Sequence, residues 1–295
     1  MSNLLLTIIF TSWLLISFRV FALFNIDNLQ AIIFNYIVCV IIGFSFFNNY
    51  QLLSHIETLD TWIIFALLTG ACFLPSFYLM SYTVKKISVT VSTIASKTSL
   101  IIPVSVSILY LNSDVQFTAV NLIGLSLGLG AILLSSLKFT SIKKTNDAKI
   151  RSEYFLPILV FIGAGLVDVL INITNFKYLP TDQSSLFPFF AFSVAAVTGI
   201  TVLAGRMIFL NEKIKLRNIL GGIVLGVPNY LSIFFLLKTL QNFNNNGALI
   251  FPMLNICVIF VNAFVAILFF KEKLSLYNYI GLFLAVISLL FLVST

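Results

Sequence analysis

Ten stretches of this chain are each apolar over about twenty residues, and that pattern leaves it few ways to fold. They run approximately through 4–24, 29–47, 61–83, 88–111, 118–137, 155–176, 184–209, 218–239, 247–270 and 277–294. A helix rising about 1.5 Å per residue crosses a hydrocarbon core about 30 Å thick in about 20 residues. Lipid offers no partner to open backbone groups, so only helices and closed barrels span it. The stretches are too uniformly apolar to be barrel strands, which alternate. Charged residues make up only 9% of the chain, where a soluble domain carries about a quarter. The chain therefore reads as an all-α polytopic membrane protein of about ten transmembrane helices. Its first stretch lacks the basic n-region and A-x-A-like site of a cleaved signal peptide, and so reads as a retained helix.

The chain also repeats itself. Residues Gly70 to Ser136 lie over Val227 to Val293 without a gap. Leu74 meets Leu231, Phe77 meets Phe234, and Asn121, Ile123, Gly124, Leu125 and Leu127 meet Asn278, Ile280, Gly281, Leu282 and Leu284. Apolar segments match by chance easily, so the weight falls on segments, breaks and the Asn-x-Ile-Gly entry to the last helix all keeping register. Internal repeats in a membrane chain point to a transporter built from two pseudo-symmetric halves. The halves are 1–137 and 155–295, five helices each, joined by a basic linker at 138–154.

Five is odd, so the second half must enter the membrane from the opposite side, and equivalent loops should differ in basic content. They do. Lys85 and Lys86 precede the fourth stretch, while the equivalent loop around Asn242 to Asn246 has no basic residue. Lys271 and Lys273 follow the ninth, while the loop around Asp114 has none. Lys213, Lys215 and Arg217 follow the seventh, where the counterpart carries His55, Glu57 and Asp60. With the linker, these loops place both termini outside the cytoplasm of a cell (inner or plasma) membrane.

Ionisable side chains within a span mark function unless they reach the interface. Arg19, Lys177, Arg206 and Lys238 lie near helix ends, where long stems reach headgroups; Arg19 is the deepest of them. Asp168 cannot reach. At helical spacing it shares a face with Gly165, Asn172 and Asn175, a polar stripe suited to protein or a wet cavity. Lys97 is its natural partner, in the unusually polar run TVSTIASKTS from Thr90 to Ser99. Counted at ~1.5 Å per residue from the side both helices share, Lys97 sits ~13 Å deep and Asp168 ~20 Å deep. The two either pair or bind opposite ends of a substrate. Further polar faces carry Pro75, Tyr78 and Tyr82; Pro228, Asn229 and Tyr230; and Pro252, Asn255 and Asn262. Such groups either line a shared central cavity or bond neighbouring helices.

Other chemistries are excluded. Cys39, Cys72 and Cys257 stand far apart with no CxxC or Cys/His spacing, so no disulfide framework, zinc site or other metal centre is expected. The sole histidine, His55, lies in a loop, and no G-x4-GK[ST] nucleotide loop is present. No enzyme activity and no cofactor is expected. The net charge of +7 is loop charge, with no bearing on nucleic acid. Gly124-x3-Gly128 and Gly222-x3-Gly226 read as close helix contacts.

The repeated half and, above all, FFKEKLSLYNYIGLFLAVISLL (269–290) resemble the EamA family of the drug/metabolite transporter superfamily. Glu272 stands in the family's acidic position, Gly281 in its glycine position, Pro252 at its helix-nine proline, and Asn229-Tyr230 looks like its Asn-Tyr pair. The first half departs, with Ala95 opposite Pro252 and Val115 opposite Glu272. The resemblance implies a ten-helix basket whose central cavity opens alternately to the two sides, with both termini usually cytoplasmic, against the loop charges here. The expectation is thus a secondary transporter of small organic metabolites such as amino acids. Its partners would be a small-molecule substrate, the lipid bilayer and either H⁺ or another coupling ion. Alternatives are a nucleotide-sugar, sugar-phosphate or cationic-drug carrier, a membrane scaffold or a membrane-embedded transferase. Monomer and homodimer stay open.

Overall fold

A computed structural model describes residues 2–45, 60–110, 119–136, 147–180, 186–243 and 247–293. The loops around His55 and Asp114 and the linker up to residue 146 lie outside them. The described chain is helical: α1 (Ser2–Leu23), α2 (Asn28–Ser45), α3 (Thr61–Lys86), α4 (Val89–Thr98), α5 (Ile101–Tyr110), α6 (Ala119–Ser136), α7 (Asp147–Ile173), α8 (Leu186–Leu210), α9 (Leu216–Asn242), α10 (Gly247–Leu268) and α11 (Leu276–Val293). A π-helical turn, Thr174–Tyr178, extends α7. Among the described residues six helices are long and apolar enough to cross a membrane, including α1, α2, α3, α8 and α9. The sixth is Phe155–Tyr178.

Each apolar stretch read from the sequence carries helix, with two differences. The linker expected over 138–154 is already α7 from Asp147; its Asp-Ala-Lys-Ile-Arg-Ser-Glu run holds neither Gly nor Pro to stop a helix. The fourth stretch is two helices, α4 and α5, parted at Ser99–Leu100. Pro103 explains the break. It has no N–H, and its ring crowds the carbonyl four residues back, which belongs to Ser99. The Ile102 amide instead makes a tight turn onto the Ser99 carbonyl at 2.9 Å.

Tertiary contacts divide the chain into two compact units. The first comprises Met1–Tyr78 and Leu170–Asn245. In it α2 packs along α9 and α8, and α1 along α9. Glycine makes the α2–α9 approach possible: a Cβ on Gly222 would collide with Phe34, and one on Gly226 would stand 2.7 Å from the Val38 Cβ. Trp62, Ala66, Leu186 and Phe187 form one buried cluster of this unit. Tyr36, Phe73, Phe77 and Phe192 stack in another part, with ring centroids 5.2–6.2 Å apart.

The second unit comprises Leu79–Val169 and Asn246–Thr295. Its α6 and α11 pack most extensively, and α4 is surrounded by α10, α6 and α11. Nine of the ten residues of α4 are buried, five of them Ser or Thr. Ile94, Leu100, Ile101, Ala131, Ile259 and Ala285 close the core around it.

Three interhelical joins that carry an acidic residue turn in the same way. Asn25, Asn211 and Lys271 each have φ 51°, the left-handed conformation that ends a helix. The next amide then reaches back into the preceding helix, Ile26 to the Phe21 carbonyl, Glu212 to the Arg206 carbonyl and Glu272 to the Ala266 carbonyl.

Candidate functional site

The second unit concentrates polar chemistry on α4. Its N-terminus is capped twice. The Ser88 hydroxyl accepts from the Val91 amide at 3.1 Å, and Glu272 accepts from the Val89 amide at 3.0 Å and from the Thr90 hydroxyl at 3.2 Å. A carboxylate there also meets the positive end of the helix dipole. Along α4, the Asn262 amide donates to Thr93 Oγ1 at 3.1 Å and the Asn255 amide to the Lys97 carbonyl at 3.2 Å.

Lys97 lies in the last turn of α4, where the helix end favours a cation. Just past the break, the Ser99 hydroxyl has one proton for two acceptors: the Ser96 carbonyl at 2.6 Å and Asp168 Oδ2 at 3.4 Å. Lys97 and Asp168 are both partly buried, and their charges act on one another. They are not bonded. Arg206 Nε and Glu212 Oε2, by contrast, form an ion pair at 2.5 Å. A cation and a carboxylate near each other but unjoined both retain capacity for a further partner.

Of the residues singled out from sequence, the fold brings Lys97, Asp168, Asn255 and Asn262 together around α4. Gly165, on the Asp168 face, packs against Ile102. Asn172 and Asn175 follow Asp168 along the chain, but Asn175 falls in the π turn, which breaks the regular spacing of the stripe. Asn229 and Tyr230 are nearly fully buried in the first unit. There the Asn229 amide donates to Asn35 Oδ1 at 3.0 Å, tying α9 to α2, and Tyr230 stacks on Phe234. Tyr78 and Tyr82 are exposed on α3, and the Lys86 ammonium sits 5.6 Å over the Tyr82 ring. Arg19 is partly buried, and its Nε finds no hydrogen-bond partner among the described residues. The Pro252 side chain lies outside the described set. Among the described residues no three His, Cys, Asp or Glu side chains converge as metal ligands.

Two features went unread in the sequence. The first is the break at Ser99, signalled by Pro103. The second is the latch made by Glu212 and Glu272, whose signal is a recurrence: Asn211-Glu-Lys-Ile-Lys-Leu-Arg-Asn218 against Lys271-Glu-Lys-Leu-Ser-Leu-Tyr-Asn278. Glu212 accepts from the Gln30 amide nitrogen at 2.7 Å, and Asn218 donates to Gln30 Oε1 at 2.6 Å while accepting from the Asp27 amide. In each unit a carboxylate from one join thus grips the start of another helix.

No protein-family model matches the chain. It is 28% identical over 269 residues to an uncharacterized protein of Haemophilus influenzae, covering 88% of this chain and 86% of that one. Several solved structures share its fold; one crystal structure matches at a TM-score of 0.58 with 11% identity, over 100% of this chain and 96% of the other. That likeness is one of fold. The chain is, at this level, an α-helical protein with, among the described residues, six helices long and apolar enough to cross a membrane.

Proposed function

We propose that the protein is a secondary transporter of small organic metabolites carrying an anionic or zwitterionic group, in the manner of the EamA-type carriers it resembles. In this reading ten helices form two inverted five-helix repeats, α4 and α5 together making one crossing. The observation that carries it is the discontinuous α4–α5 element with Lys97 and Asp168, close but not joined in an ion pair, at its break. Discontinuous helices at mid-membrane depth recur in transporters, where freed backbone and half-helix ends meet the solute. Ionisable groups at such depth are kept for function. Lys97 receives a carboxylate or phosphate, and Asp168 receives an amine or a proton. The compact units do not coincide with the halves 1–137 and 155–295: each draws segments from both, an arrangement that two intertwined repeats would produce.

The test is flux in proteoliposomes together with thermal stabilisation of the purified protein by amino acids, sugar phosphates, nucleotide sugars and organic cations. A ligand at 100 times its dissociation constant adds about 2.7 kcal/mol. Anionic or zwitterionic solutes should stabilise and be moved by the wild type and not by Lys97→Ala. Stabilisation by organic cations alone that survives Lys97→Ala would move the site to Asp168. Normal physiological function in a Lys97→Ala/Asp168→Asn double variant that moves nothing would leave a helix-bundling scaffold as the reading.

A further inference from the structure

A second feature lies in the first unit, at the α1–α9 contact. There a crevice of about 390 Å³ opens beside the joins that precede α2 and α9. Its walls are apolar, from Val20, Phe24 and Ile26 on one side and Leu220 and Val224 on the other, with Arg217 as the lining cation. The rim is strongly exposed: Phe24 is 68%, Leu220 54% and Val224 48% accessible. On a helix of membrane-crossing length such a surface meets lipid tails rather than water.

The charges around it are sorted. Both carboxylates of the flanking joins are already engaged, Asp27 with the Gln30 amide at 2.9 Å and Glu212 with Arg206 and Gln30. The cations of the same region, Lys213, Lys215 and Arg217, are exposed, and their side chains have no hydrogen-bond or ion-pair partner among the described residues. Arg217 stands in the first turn of α9, where the helix end is itself positive and a cation is disfavoured. An external anion relieves that clash.

We propose that this crevice binds one anionic phospholipid, with an acyl chain between α1 and α9 and the phosphate held by Arg217. Lys213 and Lys215 extend the positive rim at headgroup level, where each basic residue strengthens attraction to an anionic surface. The site shares no lining residue with Lys97 and Asp168 and does not depend on what the protein moves.

The experiment is native mass spectrometry of the full chain in neutral detergent, titrated with phosphatidylglycerol or phosphatidylcholine of identical acyl chains. Wild type should bind one phosphatidylglycerol several-fold more tightly than phosphatidylcholine. Arg217→Ala should lower the phosphatidylglycerol affinity about fivefold, the equivalent of about 1 kcal/mol for one cation, and Arg217→Lys should restore most of it. Val224→Trp, at an exposed position, should block both lipids by filling the crevice. An unchanged thermal midpoint in lipid-free detergent checks that each variant folds. Equal binding of the two lipids, or no loss in Arg217→Ala, overturns the proposal. So does competition by water-soluble glycerol phosphate at the lipid's own concentration, which would mark a free-anion site.

Discussion

Lys97 and Asp168 show how much a single residue can say in a membrane chain. Each is the one charged residue of its stretch, so it stands out in the sequence, and the fold puts both at the α4–α5 break. The asparagines were less legible. Asn229, Asn255 and Asn262 each pointed to a polar face, but a polar face meets either a cavity or another helix. In the fold each amide donates across a helix contact, to Asn35, to the Lys97 carbonyl and to Thr93. Periodicity cannot distinguish these, because the partner is remote in sequence. Such bonds in membranes average about 0.6 kcal/mol and reach about 1.7. A double-mutant cycle of Asn35→Leu and Asn229→Leu should therefore show a coupling of about 0.5–1.5 kcal/mol in reversible unfolding; additive losses would mean that the bond contributes nothing. Glu272 offers a second residue-level expectation. Glu272→Ala removes the acceptor for the Val89 amide and should cost about 0.5–2 kcal/mol, the usual range for losing a helix N-cap. Glu272→Gln should cost less, because an amide oxygen still accepts.

At the scale of elements, the helices were legible because a long apolar helix writes its length directly into hydropathy, and six of those described are long and apolar enough to cross a membrane. The break within the fourth was hidden by the same averaging: Leu100, Ile101 and Ile102 keep the window apolar while Pro103 interrupts the backbone ladder. The π turn at Thr174–Tyr178 left no trace either, since it depends on the Leu179 amide reaching the Thr174 carbonyl. The break has a mechanical consequence. With Pro103→Ala the ladder can close through Ser99, so α4 and α5 gain a hydrogen bond and lose the proline clash, about 3 kcal/mol in a helix interior. The variant should melt at least as high as wild type while losing most transport. A variant that transports normally would show that the discontinuity is packing and has no part in solute binding. Close packing gives the opposite sign. Gly226→Leu would drive a side chain into Val38 and the Asn35 carbonyl, and should lower the yield of folded protein several-fold, because backbone cannot yield as a side-chain end can.

For the whole molecule, orientation is the property on which sequence and resemblance disagree. EamA-type carriers usually keep both termini in the cytoplasm, whereas the basic joins of this sequence predict them outside. The joins rest on one physical rule, that Lys and Arg flanking short loops stay on the cytoplasmic side. Each basic join is compared with its equivalent in the other half, so composition cancels and position alone remains. The fold adds a reason for the charges to persist in those joins. Glu212 and Glu272 are consumed in gripping other helices, which leaves Lys213, Lys215, Lys271 and Lys273 exposed as net positive charge. Even with their acids counted the joins stay net positive, three cations to one carboxylate in 211–217 and two to one in 271–275, and Asp and Glu weigh little in topology. The expectation is therefore definite. In intact cells, with Cys39, Cys72 and Cys257 replaced by serine, an impermeant maleimide should label Asp60→Cys. It should label Lys213→Cys or Lys273→Cys only after the membrane is permeabilised. The reverse pattern would mean that the basic joins face outward, and that the resemblance predicts orientation better than the charges do. It would also move the Arg217 crevice to the opposite leaflet, so the same labelling decides which lipids can reach it.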